Sequence, residues 1–148
     1  MSQNVIDNTL ALFADHYNCA QSVLMGFLEH KGLSFKEAVH VAAGLGGGIG
    51  LQGKTCGAAT GGVLAIGVLK GQTISNVGES KNETYILASK FLKRFRDKFS
   101  SQMCNDLVGL DMSDPNARQA AINKGHFEKI CPKFVEGAAS ILVDMFPD

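Results

Sequence analysis

From Cys56 to Leu69 the chain carries no charged residue, and the first charge to follow is Lys70. A helix that is apolar or small on every side has no face to offer water, so it must lie among other helices. Thr55 stands in position to cap it, and the reading is a buried, uncharged central helix over about residues 55–70. The stretch is short for a membrane span and rich in glycine, which argues against insertion in a bilayer. Gly57, Ala58, Gly61, Gly62 and Ala65 are small enough to let neighbouring helices come close.

The remaining sequence supplies those neighbours. Apolar residues recur at helical spacing, and strand-like alternation is almost absent. Val5, Ile6, Leu10 and Phe13 predict a first helix ending near Asp15. Asn18 predicts the cap of a second over Cys19–Lys31, stopped by Gly32. Ser34 and Glu37 have the spacing of a capping box, predicting a third helix through Val39, Ala42 and Ala43. Gly44 to Gly50 then reads as a loop with unusual backbone angles. A long helix over about Glu79–Phe99 turns Ala88, Phe91, Leu92, Phe95 and Phe99 inward, with acids early and bases late, as the helix dipole favours. A short helix carries Cys104, Leu107 and Val108. Asp114-Pro115 opens another, which Gly125 interrupts, and Pro132 to about Met145 forms the last. The expectation is one all-α domain, a helical bundle spanning residues 1–148.

Fourteen basic residues balance fourteen acidic ones. Nothing global therefore steers the chain toward nucleic acid or an anionic membrane. The first residues lack a basic region followed by an apolar run, so no export signal is expected and the location is read as cytoplasmic. Cysteines in that compartment stay reduced by default, which favours catalytic or metal-binding roles over lasting disulfides.

The cysteines are four: Cys19, Cys56, Cys104 and Cys131. Each falls at a predicted helix start. Asn18 precedes Cys19, Thr55 precedes Cys56, Ser100 and Ser101 precede Cys104, and Pro132 follows Cys131. Unpaired amides at a helix start favour a thiolate over a thiol, and the thiolate is the form that attacks disulfides and binds metals. Gly57 and Ala58 leave room around the Cys56 sulfur, and the glycines upstream offer amides to an anion, so Cys56 is the expected attacking thiolate. There is no C-x-x-C, so its partner comes from a distant segment, and sequence does not choose among the three pairings of four cysteines.

Thr55-Cys56-Gly57-Ala58-Ala59-Thr60-Gly61 contains Cys-Gly-Ala-x-x-Gly. With Cys19 upstream and Cys104 and Cys131 downstream, the order resembles the C_GCAxxG_C_C family of redox-active proteins over roughly residues 15–140. By this resemblance the four cysteines are the family's signature cysteines, and Gly57, Ala58 and Gly61 complete its central motif. The resemblance implies redox chemistry without supplying a substrate. The mechanism expected of these helix-start cysteines is thiol–disulfide exchange with a redox partner protein or a small thiol. Cys56 attacks, Cys19 resolves, and Cys104 and Cys131 form a second pair or a relay.

Other readings of the same residues stand beside this one. Four thiolates suit zinc or an iron–sulfur cluster, although structural zinc ligands usually come in close pairs and these lie tens of residues apart. The cysteines of an interaction protein would simply pack, as free cysteine often does. Gly48 to Thr55 is a literal G-x-x-x-x-G-K-T, with Lys54 and Thr55 as the nucleotide-binding residues. A P-loop follows a buried strand, whereas Lys36 to Leu45 has helical spacing. Ile141 to Asp144, the apolar run ending in an aspartate, also lies in a helical pattern. His16 lies near Cys19 as a candidate base or ligand, its simpler reading a polar residue between two helices, and Lys93, Arg94, Arg96 and Lys98 precede Cys104, their simpler reading a solvated face ending a helix. Sequence leaves the oligomeric state open.

Overall fold

A computed structural model describes residues 2–148. In chain order its helices are α1 (Ser2–Ala14), α2 (Cys19–Lys31), α3 (Ala38–Val41), α4 (Gly57–Thr73), α5 (Val77–Phe99), α6 (Cys104–Val108), α7 (Pro115–Asn123), α8 (His126–Ile130) and α9 (Pro132–Met145). Among the described residues the extended structure is one isolated bridge, between Thr55 and Met103. The all-α expectation is met.

Helix α2 begins where Asn18 caps it. The Asn18 side-chain oxygen accepts from the Gln21 amide at 2.8 Å, and the Gln21 side chain accepts from the Asn18 amide at 2.9 Å. Gly32, at φ 69°, ends it, a left-handed stop that costs glycine nothing sterically. Val23, Leu24, Phe27 and Leu28 are fully buried, and α2 packs against α1, α4 and α9. Helix α4, uncharged until Lys70 in its last turn, lies between α2 and α5 and also touches α9. Its residues Gly57, Ala58, Ala59, Gly61, Gly62, Ala65 and Ile66 are buried. Two close approaches fix the α2–α4 crossing. A Cβ on Gly61 would lie 2.6 Å from the Ala20 carbonyl oxygen, and one on Gly57 would lie 3.0 Å from the Ala20 nitrogen and 3.1 Å from the Cys19 Cβ. The glycines of the central motif thus admit the backbone of α2. Gly57 also lines the cavity that holds the Cys56 sulfur. The Phe91 ring occupies the corresponding place at Gly62, with its nearest carbon 2.3 Å from a Cβ built there. An aromatic run continues from α5 into α9, with Phe95–Phe99 centroids at 4.9 Å and Phe99–Phe134 at 5.0 Å, spacings at which aromatic pairs attract.

Three local expectations are corrected. The Ser34–Glu37 capping box does not form, since Glu37 has helical angles and makes no side-chain cap. The helix there lasts one turn and is followed by a 3₁₀ turn at Ala43–Leu45. Gln21 of α2 donates to the Val39 carbonyl at 2.8 Å, and Asn18, the cap of α2, donates to the Ala43 carbonyl of the 3₁₀ turn at 3.0 Å. Thr55 is not the cap of α4. That position belongs to Cys56, and Thr55 is held two residues before the helix by its bridge to Met103.

The P-loop reading fails on the same segment. No strand precedes Gly48. Gly47, Gly48, Ile49, Gly50 and Leu51 all have positive φ, from 58° to 71°, a left-handed turn instead of a phosphate cradle. The amides of Ile49, Gly50, Leu51, Gln52, Gly53 and Lys54 are each hydrogen-bonded to carbonyls between Gly44 and Ile49. Those six amides have no donor left for an anion. Lys54 is exposed ahead of α4, and Asp144 lies on α9 paired with Arg94.

Candidate functional site, a four-cysteine cavity

Every cysteine sits at a helix start, as the sequence indicated. Cys19 is the first residue of α2 and Cys104 the first of α6, Cys56 immediately precedes α4, and Cys131 joins α8 to α9. Different devices bring them together. The α2–α4 crossing sets Cys19 beside the Cys56 end of α4. The short bridge then aligns Cys56 with Cys104: the Cys56 amide donates to the Gln102 carbonyl at 2.7 Å, and the Cys104 amide donates to the Lys54 carbonyl at 2.6 Å. Side chains alternate along extended backbone. Cys56 and Cys104, each one residue past the Thr55–Met103 pair, therefore face the same side. The Gln102 side chain, held by Arg96 at 2.7 Å, reaches the Thr55 hydroxyl at 3.4 Å and supports this pairing. Cys131 arrives from the far end of the chain. Its amide is bonded to Phe127 at 2.9 Å, and Pro132 fills the first position of α9.

All four cysteines line one cavity of about 240 Å³. Its wall is largely apolar, with Phe13, Leu51, Leu107, Met112, Ile122 and Phe127 among its residues. Cys56, Cys104 and Cys131 are buried and Cys19 is half-buried. None is in a disulfide.

The electrostatics differ from the expectation that helix starts would ionise every thiol. Burial raises Cys56 from 9.0 to about 11, outweighing the downward pull of the Ala58 and Ala59 amides. Burial likewise pushes Cys104 up to about 12, reinforced by the neighbouring Cys56 and Cys131. In an apolar wall the charged form loses more from lost hydration than it gains from the helix end. Cys19 and Cys131 behave as a pair. Their mutual interaction raises Cys19 well above its ordinary value and lowers Cys131. Burial and the nearby Glu128 oppose the lowering of Cys131, and Lys133 adds to it. Cys131 is thus the cysteine whose pKa is lowered, while burial keeps Cys56 protonated.

Several cavity residues escaped the sequence reading, Met112, Ile122, Phe127 and Arg118 among them. Arg118, on α7, is the only charged side chain in the lining among the described residues. Asp114-Pro115 marked the helix that carries it, but nothing in the local pattern separates Arg118 from a solvated surface arginine. The flagged residues lie elsewhere. His16 and Lys98 are exposed and outside the lining, Lys93 pairs with Asp97, and Arg94 pairs with Asp144. No three His, Cys, Asp or Glu side chains among the described residues are grouped so as to hold a metal ion. No helix among them is long and apolar enough to cross a membrane.

Four thiols from four helix starts, enclosed in one apolar cavity of an all-α fold, define a protein built around clustered cysteine sulfur. The family model described as "Putative redox-active protein (C_GCAxxG_C_C)" matches residues 17–145, and the chain belongs to that family. No curated protein and no solved structure is significantly similar to it.

Proposed function

We propose that the protein performs thiol–disulfide exchange in the cysteine cavity, with Cys131 as the attacking sulfur and Cys19 as the resolving one. The observation that carries this reading is that all four cysteines line one cavity, in which Cys131 is the cysteine whose pKa is lowered. It moves the attacking role from Cys56, because the thiolate is the nucleophile and burial holds Cys56 as a thiol.

The reaction runs as follows. The Cys131 thiolate attacks one sulfur of a substrate disulfide. A Cys131–substrate bond forms, the substrate S–S bond breaks, and the departing thiolate takes the proton from Cys19. The Cys19 thiolate then attacks the Cys131 sulfur, closing a Cys19–Cys131 disulfide and expelling the second substrate sulfur as a thiolate. Two electrons pass from the protein to the substrate. Cys56 and Cys104, aligned by the bridge, form the second pair of this scheme: exchange with the Cys19–Cys131 disulfide returns Cys19 and Cys131 to thiols and leaves a Cys56–Cys104 disulfide, which a thiol of the redox partner then reduces.

Zinc or an iron–sulfur cluster would use the same sulfurs. Their present grouping does not fit an ion, so no step is derived through one. The test is exchange kinetics of the anaerobically reduced full chain with bis(2-hydroxyethyl) disulfide. Cys131→Ser lowers the rate at least a hundredfold and Cys56→Ser changes it by only a few-fold, and peptide mapping of the oxidised wild type finds Cys19 joined to Cys131. A Cys131→Ser protein that exchanges at the wild-type rate overturns the assignment. Stoichiometric iron or zinc in protein purified without oxygen would favour the metal reading instead.

A further inference from the structure

Resting on the thiol-exchange reading, we propose that the cavity takes a small aliphatic disulfide bearing a single carboxylate, with the carboxylate on Arg118 and the sulfurs toward Cys131 and Cys19. Size sets the first limit. A volume of about 240 Å³ equals the share of roughly eight liquid waters. That is below the usual range for drug-sized ligands, about 300–1,000 Å³. A ligand of about a dozen non-hydrogen atoms fits, and a tripeptide disulfide does not enter whole.

Chemistry sets the second. The wall beside the sulfurs is apolar, so a charged or strongly hydrated substrate body would lose its water there without replacement. The exception is Arg118. It is half-buried, and one guanidinium nitrogen donates to the Met112 carbonyl. No carboxylate of the protein lies within ion-pair distance of it among the described residues. A guanidinium carries five N–H donors in a planar fork that matches a carboxylate. With one donor spent on Met112, most of the fork is free. No aspartate or glutamate lines the cavity, so nothing there would receive a substrate ammonium. The pattern selects one negative charge, no positive charge and an apolar body between the charge and the sulfurs.

The mouth fits the same ligand. Leu51, from the left-handed loop, is 41% exposed and Ile122, from α7, is 49% exposed, and both line the cavity. They supply apolar edges through which an aliphatic chain can pass. Helix α7 packs mainly on α8 and buries only Ala121. Arg118 and Ile122 therefore ride on the least anchored of the longer helices, where the cavity wall yields most easily.

Lipoic acid and lipoamide probe the idea, because they share one ring disulfide and differ in carboxylate against carboxamide. Single-turnover reduction by the anaerobically reduced full chain is followed by loss of the ring-disulfide absorbance. At sub-saturating concentration lipoate reacts about ten- to a hundredfold faster than lipoamide, the range expected of a charge-assisted hydrogen bond. Arg118→Gln brings that ratio close to one and Arg118→Lys retains part of it. Glutathione disulfide is slower than lipoate. Octanoate supplies a readout free of redox chemistry: it binds the wild type calorimetrically, and binding is lost in Arg118→Gln. A lipoate-to-lipoamide ratio that Arg118→Gln leaves unchanged overturns the proposal, as does faster reduction of glutathione disulfide. The neutral bis(2-hydroxyethyl) disulfide separates the two levels. If the wild type reduces it but shows no preference for lipoate, the substrate assignment fails alone. If the wild type reduces no disulfide, the exchange reading fails, and octanoate binding still reports whether Arg118 holds a carboxylate.

Discussion

Replacing Gly61 with alanine tests whether the α2–α4 crossing is held by main-chain contact. The added methyl would lie 2.6 Å from the Ala20 oxygen, 2.9 Å from its Cα and 3.2 Å from its carbonyl carbon. These are backbone atoms of α2, so no side-chain rotation relieves the overlap and the helices must separate. Overpacking of this kind costs about 1–3 kcal/mol. Alanine in a helix interior returns about 0.5–1 kcal/mol relative to glycine, leaving a net loss of about 1–2 kcal/mol for Gly61→Ala. Gly71 lies in the same helix and has nothing within 4 Å of an added Cβ. Gly71→Ala therefore gains about 0.5–1 kcal/mol with no opposing clash. The helix-propensity gain is common to both variants, so the gap between them isolates the clash at about 2 kcal/mol. In a chain of this size that gap is about 4–8 °C in Tm. Urea unfolding followed by helical circular dichroism gives the same comparison as a shift in midpoint at unchanged slope. A Gly61→Ala protein as stable as Gly71→Ala would refute the claim that glycine is needed for contact with α2. The geometry also ties Gly61 to the sulfurs, because parting α2 from α4 carries Cys19 away from Cys56.

Two further outcomes follow from the same geometry. Cys56 and Cys104 have folded-state pKa values of about 11 and about 12, raised from 9.0 by burial. The folded state holds protons that the unfolded chain releases first, so their stability contribution is complete below about pH 9 and fades as pH rises through 11 to 12. Unfolding free energy should fall across that window, and Cys56→Ala should flatten the fall by about 3 kcal/mol at most, two pKa units' worth; chemical denaturation at stepped pH checks it, and equal slopes in the two proteins would contradict it. Ser100 ends α5 at φ 69° and is exposed. Ser100→Gly relieves the left-handed strain and should raise stability by about 1 kcal/mol in a thermal melt, with destabilisation as the contrary result.

Much of the scaffold was legible because its causes are local. Asn18 and Gly32 bound α2, and Gly125 and Pro132 mark the breaks around α8, since caps and stops act within a few residues. The one-turn α3 was misread for the opposite reason. Ser34 and Glu37 have the right spacing, but Gln21 of α2 and its cap Asn18 compete for the carbonyls that a longer helix would have used. The segment Gly48–Thr55 makes the same point for chemistry. Its letters match a phosphate loop, yet a left-handed turn uses its amides internally, and letters alone do not say where amides point.

The sequence by itself determined that helices form, that an uncharged segment lies among them, and that four cysteines stand at helix starts. These follow from periodicity, capping and composition, which are properties of short stretches of chain. Only the tertiary structure decided which cysteine has its pKa lowered and what shares its cavity. The pairing of Cys19 with Cys131 and the arrival of Arg118 join residues far apart in sequence. The balance between a helix-end charge and lost hydration depends on how deeply each sulfur is enclosed, and enclosure exists only once the helices have packed.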